Sequence, residues 1–158
     1  MSMICYLREA DESQIDQLLA DPESIHDLLE EESGEVELGK AWHGIHFLLT
    51  GSEWEGEEPL CYLVRGGEEV GDEDVGYGPA RVLRPNQVAR WAAALLAILA
   101  DEMRRRYDQQ AMLKAEIYPQ MGWHVPEALG YLLEYYGALS SFVEQARDRG
   151  KGAIIHIG

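Results

Sequence analysis

Two histidines three residues apart are the first candidates for metal chemistry in this sequence. His43 and His46 lie in a segment with helical spacing, so their side chains would be about 60° apart around the helix and could share an ion. A zinc site needs three or four protein ligands, however, and residues 38–50 contain no acidic residue, while the other histidines are scattered along the chain. His46 also borders an apolar stripe. We therefore predict a hydrogen-bonded, partly buried histidine, with no metal and no cofactor.

Sequence motifs for other chemistry are incomplete. Asp72-Glu73-Asp74 begins like a calcium-binding loop, but Gly76 stands where the loop requires another acidic ligand. Gly76-Tyr77-Gly78-Pro79 lacks the helix start with Lys and Ser or Thr that a phosphate-binding loop needs. No serine lies in a G-x-S-x-G motif, and neither Cys5 nor Cys61 has a basic neighbour that would stabilise a thiolate. The sequence therefore favours a noncatalytic protein and indicates no catalytic residue.

Two segments, residues 40–51 and 76–81, nevertheless contain more unusual residues than packing requires. Gly44 lies inside a predicted helix, where glycine costs about 0.5–1 kcal/mol relative to alanine and usually marks a close backbone approach. The second segment places aromatic and basic side chains between rigid turn residues. One hypothesis is a ligand-binding cleft, and the competing interpretation is a helix packed against a glycine-rich corner. The cleft would be lined by Trp42, His46, Tyr77 and Arg81.

The charge of the chain is strongly asymmetric. There are 29 acidic and 13 basic residues, which gives a formal charge of −16. Residues 1–74 hold 21 of the acids and only Arg8, Lys40 and Arg65 as bases. Such a field repels phosphate backbones and anionic membranes, and it complements a basic partner. We therefore expect a basic protein partner, no nucleic acid and no membrane. The acids are concentrated in residues 30–32, 53–58 and 68–74.

One basic run, Arg104-Arg105-Arg106, would suit nucleic acid if it were free. Asp101 and Glu102 precede two of these arginines by four residues, which is the spacing of ion pairs along one helix face. Since the overall field also opposes nucleic acid, the run predicts a solvated helix face.

Length and composition limit the class of protein. With 158 residues, 46% of them hydrophobic, the chain can form one domain with its own core and is too apolar for intrinsic disorder. Its longest apolar run, residues 91–100, is about half of a bilayer span, and the N-terminus lacks the features of a secretory signal. Both cysteines lie in apolar runs, as expected in a reducing compartment. We expect a single cytoplasmic domain over residues 1–158.

Short apolar runs predict four strands, and helical spacing predicts about six helices. One strand, residues 60–65, is bounded by Pro59 and Gly66, which is typical of a sheet interior. Asp11 with Gln14 resembles a capping box at the first helix start. Residues 91–100 are apolar all round and predict the most buried helix. The other strands are residues 3–8, 80–83 and 153–157, and the helices begin near Asp11, Asp21, Leu38, Pro85, Gln109 and Pro126.

The order of these elements favours the α/β class, with α+β as the alternative. The prediction is a single compact domain in which a small mixed sheet of about four short strands is covered by about six helices.

Several segments together resemble the YfbM-like proteins, a bacterial family of unknown function. The resemblance covers nearly the whole chain and implies a bacterial protein with a compact α/β domain. It carries over no catalytic or binding residue. Arg84 departs from the pattern, since the relatives tend to place Ser or Thr there as a helix cap. The similar segments are MSMICYL at residues 1–7, the acid-rich helix at Ile25-His26-Asp27, KAWHGIHFLLTG at 40–51, GDEDVGYGPARVL at 71–83, Ala115-Glu116-Ile117-Tyr118-Pro119, and the ending at 150–157.

The leading functional prediction is a noncatalytic interaction protein that uses its acidic N-terminal half against a basic protein partner. Small acidic bacterial domains that neutralise basic toxins have the same charge complementarity, which is an analogy. The alternative is a small enzyme or small-molecule-binding protein with a cleft near Trp42, His46, Tyr77 and Arg81. That alternative requires these side chains to converge on one concave site. The sequence does not indicate an oligomeric state.

Overall fold

The computed structural model describes residues 2–31, 34–120 and 122–158, so Met1 of the opening motif and Glu32 of the first acidic run lie outside the described residues. Its centre is a five-stranded sheet with the order β2-β1-β5-β4-β3, in which every neighbouring pair is antiparallel. The middle strand, β5, pairs with β1 from Cys5↔Ile157 to Ala10↔Gly152. The strands are β1 (Cys5–Ala10), β2 (Glu35–Glu37), β3 (Glu68–Glu69), β4 (Arg81–Leu83) and β5 (Gly152–Ile157).

Seven α-helices surround the sheet in the described part of the chain. The longest follows the turn at Pro126, and none in the described ranges has the length and apolarity needed to cross a membrane. A short 3₁₀ helix, Pro22–Ser24, precedes the second α-helix. The α-helices are α1 (Glu12–Ala20), α2 (Ile25–Leu29), α3 (Trp42–Thr50), α4 (Pro85–Leu96), α5 (Ala100–Arg106), α6 (Gln109–Lys114) and α7 (Ala128–Asp148).

Both faces of the sheet carry a hydrophobic core, because side chains alternate between faces along each strand. On one face, Leu7 and Ile155 pack into a large core with residues of α3, α4 and α7. Trp42 and Trp91 are the largest fully buried side chains of that core. On the other face, a smaller core is covered by α1 and α2; it contains Ala10, Ile15, Leu18, Ile25, Val70, Ala80, Val82 and Ile154.

The close backbone approach predicted at Gly44 is confirmed. A Cβ atom at this position of α3 would lie 2.8 Å from Leu132 Cδ2 of α7 and 2.8 Å from Trp123 Cη2. Such distances are well inside van der Waals contact, so only glycine lets α3 pack this deeply.

Three features of the predicted sheet are wrong: the number of strands, their mixed pairing and the strand at residues 60–65. The sheet has five strands rather than about four and is entirely antiparallel rather than mixed. Residues 60–65 form a turn in which the Val64 and Arg65 N–H groups both bond to the Cys61 carbonyl. A short apolar run cannot be distinguished from a strand by composition alone, because the buried side chains of a turn produce the same pattern. The missed strands, β2 and β3, are short and rich in glutamate, a residue with low strand propensity.

Several predicted element boundaries are confirmed. The Asp11 carboxylate accepts the Gln14 N–H at 2.9 Å while the Gln14 side chain accepts the Asp11 N–H at 2.9 Å, which is the capping box at the start of α1. Gly51 ends α3 in the left-handed conformation with φ of 76°. Helix α3 begins at Trp42, however, and not at Leu38, which is buried just before it.

The run of residues 91–100 does not form the most buried helix. Helix α4 ends at Leu96, and a new helix begins at Ala100. Leu96 is 48% exposed and Leu99 is 66% exposed, because the chain leaves the core as it turns into α5. The Tyr136 hydroxyl of α7 donates to the carbonyl of Ile98 at 2.5 Å, which satisfies a backbone group freed by the break.

The contacts of Arg84 explain why this residue can replace the Ser or Thr expected before α4. Its N–H donates to Gln87 Oε1 at 2.7 Å, so the helix start is capped by the later residue. The guanidinium contacts Glu12 at 2.9 Å and Asp16 at 2.7 Å on α1, and Glu68 at 3.4 Å on β3. Three carboxylates hold the Arg84 pKa above its usual range, chiefly through the hydrogen bond to Asp16. This arginine therefore ties α1 and β3 to the start of α4.

The basic run at Arg104-Arg105-Arg106 lies on an exposed helix face, as predicted. Glu102 contacts Arg105 at 2.7 Å and Arg106 at 3.1 Å, and Asp101 lies 4.0 Å from Arg104.

Candidate functional site

Helix α3 places two of the predicted site residues, Trp42 and His46, on its buried side. The Trp42 indole is fully buried, and its Nε1–H donates to the Met3 carbonyl at 3.0 Å. This bond ties α3 to the chain just before β1. Trp42 is therefore a buried structural residue and is not accessible to a ligand.

His43, next to Trp42, joins two loops through its ring. Its Nδ1 accepts the Tyr118 N–H at 2.8 Å, and its Nε2 lies 2.8 Å from the Glu53 carbonyl. Because Nδ1 is an acceptor, the proton must be on Nε2, which donates to Glu53. Burial lowers the pKa of His43. The neutral ring is thus fixed in one tautomer and holds residue 53 in place.

His46 is completely buried, whereas the sequence predicts only partial burial. Its Nε2 lies 3.3 Å from Thr50 Oγ1, and its Nδ1 has no hydrogen-bond partner in the described structure. Burial first, and then the neighbouring His43 ring, lower its pKa to about 4. His46 is therefore neutral at pH 7 and lies beneath the surface.

Tyr77 stands on a turn that several hydrogen bonds hold against β5. The Asp74 carboxylate accepts the N–H groups of Gly76 at 2.7 Å and Gly78 at 3.0 Å, and the Tyr77 N–H donates to the Ile157 carbonyl at 2.8 Å. A Cβ at Gly76, where φ is +152°, would lie 2.6 Å from that same carbonyl. These contacts hold the turn against β5 and place Tyr77 at its tip.

Trp54, which the sequence reasoning missed, completes an aromatic cluster with Tyr77. The Trp54 ring stacks on His43 at 4.2 Å between centroids and lies 5.9 Å from the Tyr77 ring. Both rings lie about 6 Å from buried Trp42, at 6.2 Å and 6.3 Å. Trp54 is 42% exposed and Tyr77 is 47% exposed. We call Trp54 and Tyr77 the aromatic pair.

Arg81 lies beside the aromatic pair but is already bonded to the protein. Its guanidinium donates to the carbonyls of Leu63 at 2.8 Å and Gly66 at 3.1 Å, and burial lowers its pKa. With Trp54, Tyr77 and His156 it lines a cavity of about 100 Å³.

The four predicted site residues are therefore neighbours with different exposure. Trp42 and Tyr77 belong to one aromatic cluster, and Tyr77 and Arg81 line one cavity. His46 does not line that cavity and is fully buried. The one sequence signal for Trp54 is a large aromatic residue placed among four glutamates in residues 53–58.

A second concave region includes Val75, which lies two residues before Tyr77. It is a groove of about 660 Å³, and we call it the acidic groove. Its floor is the Tyr6 ring of β1 stacked on the His156 ring of β5, with centroids 4.8 Å apart and an interplanar angle of 15°. His156 also lines the cavity beside Tyr77. The acidic groove is lined by Tyr6, Leu29, Glu35, Glu37, Val75, His156 and Gly158.

The floor of the acidic groove carries no charge at neutral pH. Burial raises the pKa of Tyr6, and the carboxylates of Glu37 and Glu35 raise it further. Burial, and then the charge of Arg8, lower the pKa of His156 to about 4. The charge lining the groove therefore includes the carboxylates of Glu35 and Glu37, of which Glu35 forms an ion pair with Arg8 at 3.2 Å.

Groups suited to metal binding or covalent chemistry are not brought together in the parts of the chain that the structure describes. No cluster of three or more His, Cys, Asp or Glu side chains in the described ranges could hold a metal ion. Cys5 and Cys61 are both free and buried. Burial raises the pKa of Cys5 to about 12 and also raises that of Cys61, which disfavours the reactive thiolate.

Fold and site together define an α/β domain that presents an exposed aromatic pair among acidic loops. A family model described as a domain of unknown function, DUF1877, matches residues 1–156, and the chain belongs to that family. Among solved structures, it is similar to YfbM from Escherichia coli, a protein of unknown function, with a TM-score of 0.78 and 24% sequence identity. The match covers 98% of this chain and 99% of that chain. No curated protein matches the sequence. The shared family and fold confirm the resemblance to YfbM-like proteins.

Proposed function

We propose that this domain is a noncatalytic binding module for a basic protein partner, with the aromatic pair at the centre of the contact. The observation that supports the proposal is the exposure of Trp54 and Tyr77, which are 42% and 47% exposed although they lie side by side on a buried aromatic base. Large aromatic side chains held rigidly at a surface are typical of the residues that dominate binding energy in protein interfaces.

The chemistry around the aromatic pair favours a cationic partner. Glu53 and Glu55 flank Trp54 in the chain, and the run Asp72-Glu73-Asp74 precedes Tyr77. All of these acids are exposed. Indole and phenol faces attract guanidinium and ammonium groups, while carboxylates nearby increase the rate of encounter with a positively charged protein. An arginine or lysine side chain of the partner therefore suits this surface.

The observed geometry gives less support to the alternative, a small enzyme or small-molecule-binding protein. The cavity beside Tyr77 and Arg81 measures about 100 Å³, whereas ligand sites usually measure about 300–1,000 Å³. Arg81 already donates to two backbone carbonyls, and His46 is buried and neutral. A broad surface contact fits these residues better than an enclosed substrate.

A tetra-arginine peptide tests the proposal, with tetra-glutamate as the peptide of opposite charge. We expect the intrinsic Trp fluorescence to change with tetra-arginine alone, and the affinity to fall steeply between about 20 mM and about 300 mM salt. Tyr77→Ala and Glu53→Gln are expected to weaken binding about fivefold each.

Matched controls make this test specific to the aromatic pair. Leu99→Ala removes an exposed apolar side chain elsewhere, and Glu134→Gln removes an exposed acid on α7. We expect neither to change binding by as much as twofold. The proposal is wrong if tetra-arginine does not bind at low salt, or if the control variants weaken binding as much as Tyr77→Ala does.

A further inference from the structure

Strand β2 forms one edge of the sheet, and its outer backbone groups are free in the described part of the chain. The Leu38 N–H donates to the Cys5 carbonyl at 2.8 Å, and Leu7 lies opposite Val36 two residues further along each strand. Because hydrogen-bonded pairs alternate in an antiparallel ladder, Val36 directs its N–H and C=O groups towards β1. Glu35 and Glu37 therefore direct theirs away from the sheet.

The pairing of β1 with β5 independently supports this orientation of the backbone groups. Ile4 and Gly158 exchange two hydrogen bonds, at 2.9 Å and 3.0 Å, so the even-numbered residues of β1 direct their backbone groups towards β5. The odd-numbered ones, including Leu7, consequently face β2. Both observations give the same outward orientation for Glu35 and Glu37.

Grooves lie on both sides of this free edge. On one side is the acidic groove, into which the carboxylates of Glu35 and Glu37 face. On the other side is a groove of about 420 Å³ between β2 and α7, where Val36, Ala138 and Phe142 lie among polar residues that include Glu9, Gln145 and Arg149. Side chains of a strand point alternately to opposite faces. A strand added to β2 would thus place every second side chain near the carboxylates of Glu35 and Glu37 and the others near Val36 and Phe142.

We infer that the edge of β2 accepts an extended segment of the basic partner as a sixth strand, in which lysine or arginine alternates with apolar residues. The inference rests on the proposed function, since it assigns a second contact to the same basic partner. Recognition would combine backbone hydrogen bonds for affinity with two unlike grooves for specificity.

The charges around β2 favour a basic segment over a second copy of this chain. Glu35 is neutralised in part by Arg8, but Glu37 forms no ion pair in the described part of the chain, so its carboxylate can receive a cation. The neutral stacked rings of Tyr6 and His156 lie beside it and can accept the apolar stem of a lysine or arginine. A second copy of this chain paired through β2 would instead bring glutamates of both copies onto one face, which is unfavourable.

A pair of heptapeptides with equal charge tests strand addition on the unmodified protein. One alternates lysine with valine, and the other has the same sequence with each lysine backbone nitrogen methylated, which removes the N–H groups that an antiparallel strand would donate to Glu35 and Glu37. We expect the unmethylated lysine–valine peptide to bind at least about tenfold more tightly. On binding, the amide hydrogens of Glu35 and Glu37 should exchange at least about tenfold more slowly.

Two variants at one position separate charge from backbone pairing. Glu37→Gln removes the carboxylate, and we expect it to weaken the lysine–valine peptide about threefold. Glu37→Pro removes the carboxylate and also the outward N–H, which β1 does not use, so an edge strand tolerates it. The proline variant is expected to weaken binding about tenfold more than the glutamine variant, with circular dichroism checking that both are folded.

Each failure has a distinct meaning. If both heptapeptides bind equally and the amide exchange is unchanged, strand addition is wrong while the proposed basic partner stands. Binding of tetra-arginine without binding of either heptapeptide leads to the same conclusion. If tetra-arginine does not bind at low salt, the proposed function is wrong; if the heptapeptides also fail to bind, this inference is wrong as well. A dimer of the free chain that protects the Glu37 amide would assign the edge to a second copy and overturn the inference.

Discussion

At the scale of single residues, the buried histidines are neutral at pH 7, and their burial makes the stability of the protein depend on pH. His43 has both ring nitrogens bonded to backbone groups of distant loops, and His46 is buried with Nδ1 unpaired in the described structure. Their low pKa values follow mainly from burial. Of the two histidines whose spacing resembles a metal site, His43 holds loops against α3, whereas His46 contacts Thr50 of the same helix through its Nε2.

Stability should fall as the pH drops from about 6.5 towards 4, because the folded state resists protonation of His46 and His156, whose pKa values are about 4. The unfolded chain takes up those protons near pH 6.5, so each histidine contributes a slope of at most about 1.4 kcal/mol per pH unit in this window. Urea unfolding at a series of pH values measures the slope. For His46→Leu, we expect the free energy of unfolding to change less steeply between pH 5 and pH 6, by about the contribution of one histidine. If the steepness is the same as in the unmodified protein, the low pKa of His46 is contradicted.

The aromatic pair shows how far single residues could be predicted. Tyr77 and Arg81 stood out because glycine and proline surround them. Trp54 did not, because its environment depends on His43 bringing residue 53 to α3. The floor of the acidic groove was beyond prediction for a related reason, since Tyr6 and His156 come from opposite ends of the chain and meet only through the β1–β5 register.

At the scale of elements, glycine at two helix positions has opposite consequences. Gly44→Ala would insert a methyl group 2.8 Å from Leu132 Cδ2 and Trp123 Cη2. We expect a loss of stability of about 1–2 kcal/mol, because the overpacking exceeds the gain in helix propensity. Thermal or urea unfolding of the purified variant measures the loss.

Gly137→Ala is the matched control for that substitution. Gly137 lies within α7, and a Cβ there would meet nothing within 4 Å. Only the helix propensity changes, so the variant should gain about 0.5–1 kcal/mol. If both variants shift the free energy of unfolding in the same direction, packing at Gly44 is not the cause of its effect.

Elements were predictable where local rules agree with the fold. The ends of α1 and α3 follow from a capping box and a left-handed glycine, and β1, β4 and β5 follow from apolar runs. The missed strands β2 and β3 are held by pairing with β1 and β4. Their short glutamate-rich sequences do not predict that pairing. The break after Leu96 was hidden because both sides of it are apolar, although Leu96 and Leu99 are exposed.

At the scale of the whole molecule, the charge of −16 is distributed by the fold rather than concentrated on one element. Several N-terminal acids bind bases of the C-terminal half, as Glu9 binds Arg149 at 2.9 Å and Glu12 binds Arg84 at 2.9 Å. Others, including Glu57 and Asp72, are exposed and form no ion pair in the described residues. The unpaired acids repel one another, and this repulsion opposes the compact state.

Added salt should therefore raise the melting temperature, since an ionic strength of about 0.1 M screens charges beyond about 10 Å. Differential scanning fluorimetry between low and high sodium chloride measures the rise. A double variant, Glu57→Gln with Asp72→Asn, should melt higher at low salt and respond less to added salt. A melting temperature that falls with salt would mean that the ion pairs of Arg84 outweigh the net repulsion.

The position of β5 has a consequence for how the protein is made. The middle strand of the sheet consists of residues 152–157, and its neighbours β1 and β4 are synthesised long before it. Until residues 152–157 have emerged from the ribosome, β1 lacks its principal neighbour and exposes a strand edge that can pair with other nascent chains. The acids of residues 1–74 emerge before β5 as well, and their mutual repulsion keeps neighbouring nascent chains apart until β5 pairs with β1 and β4.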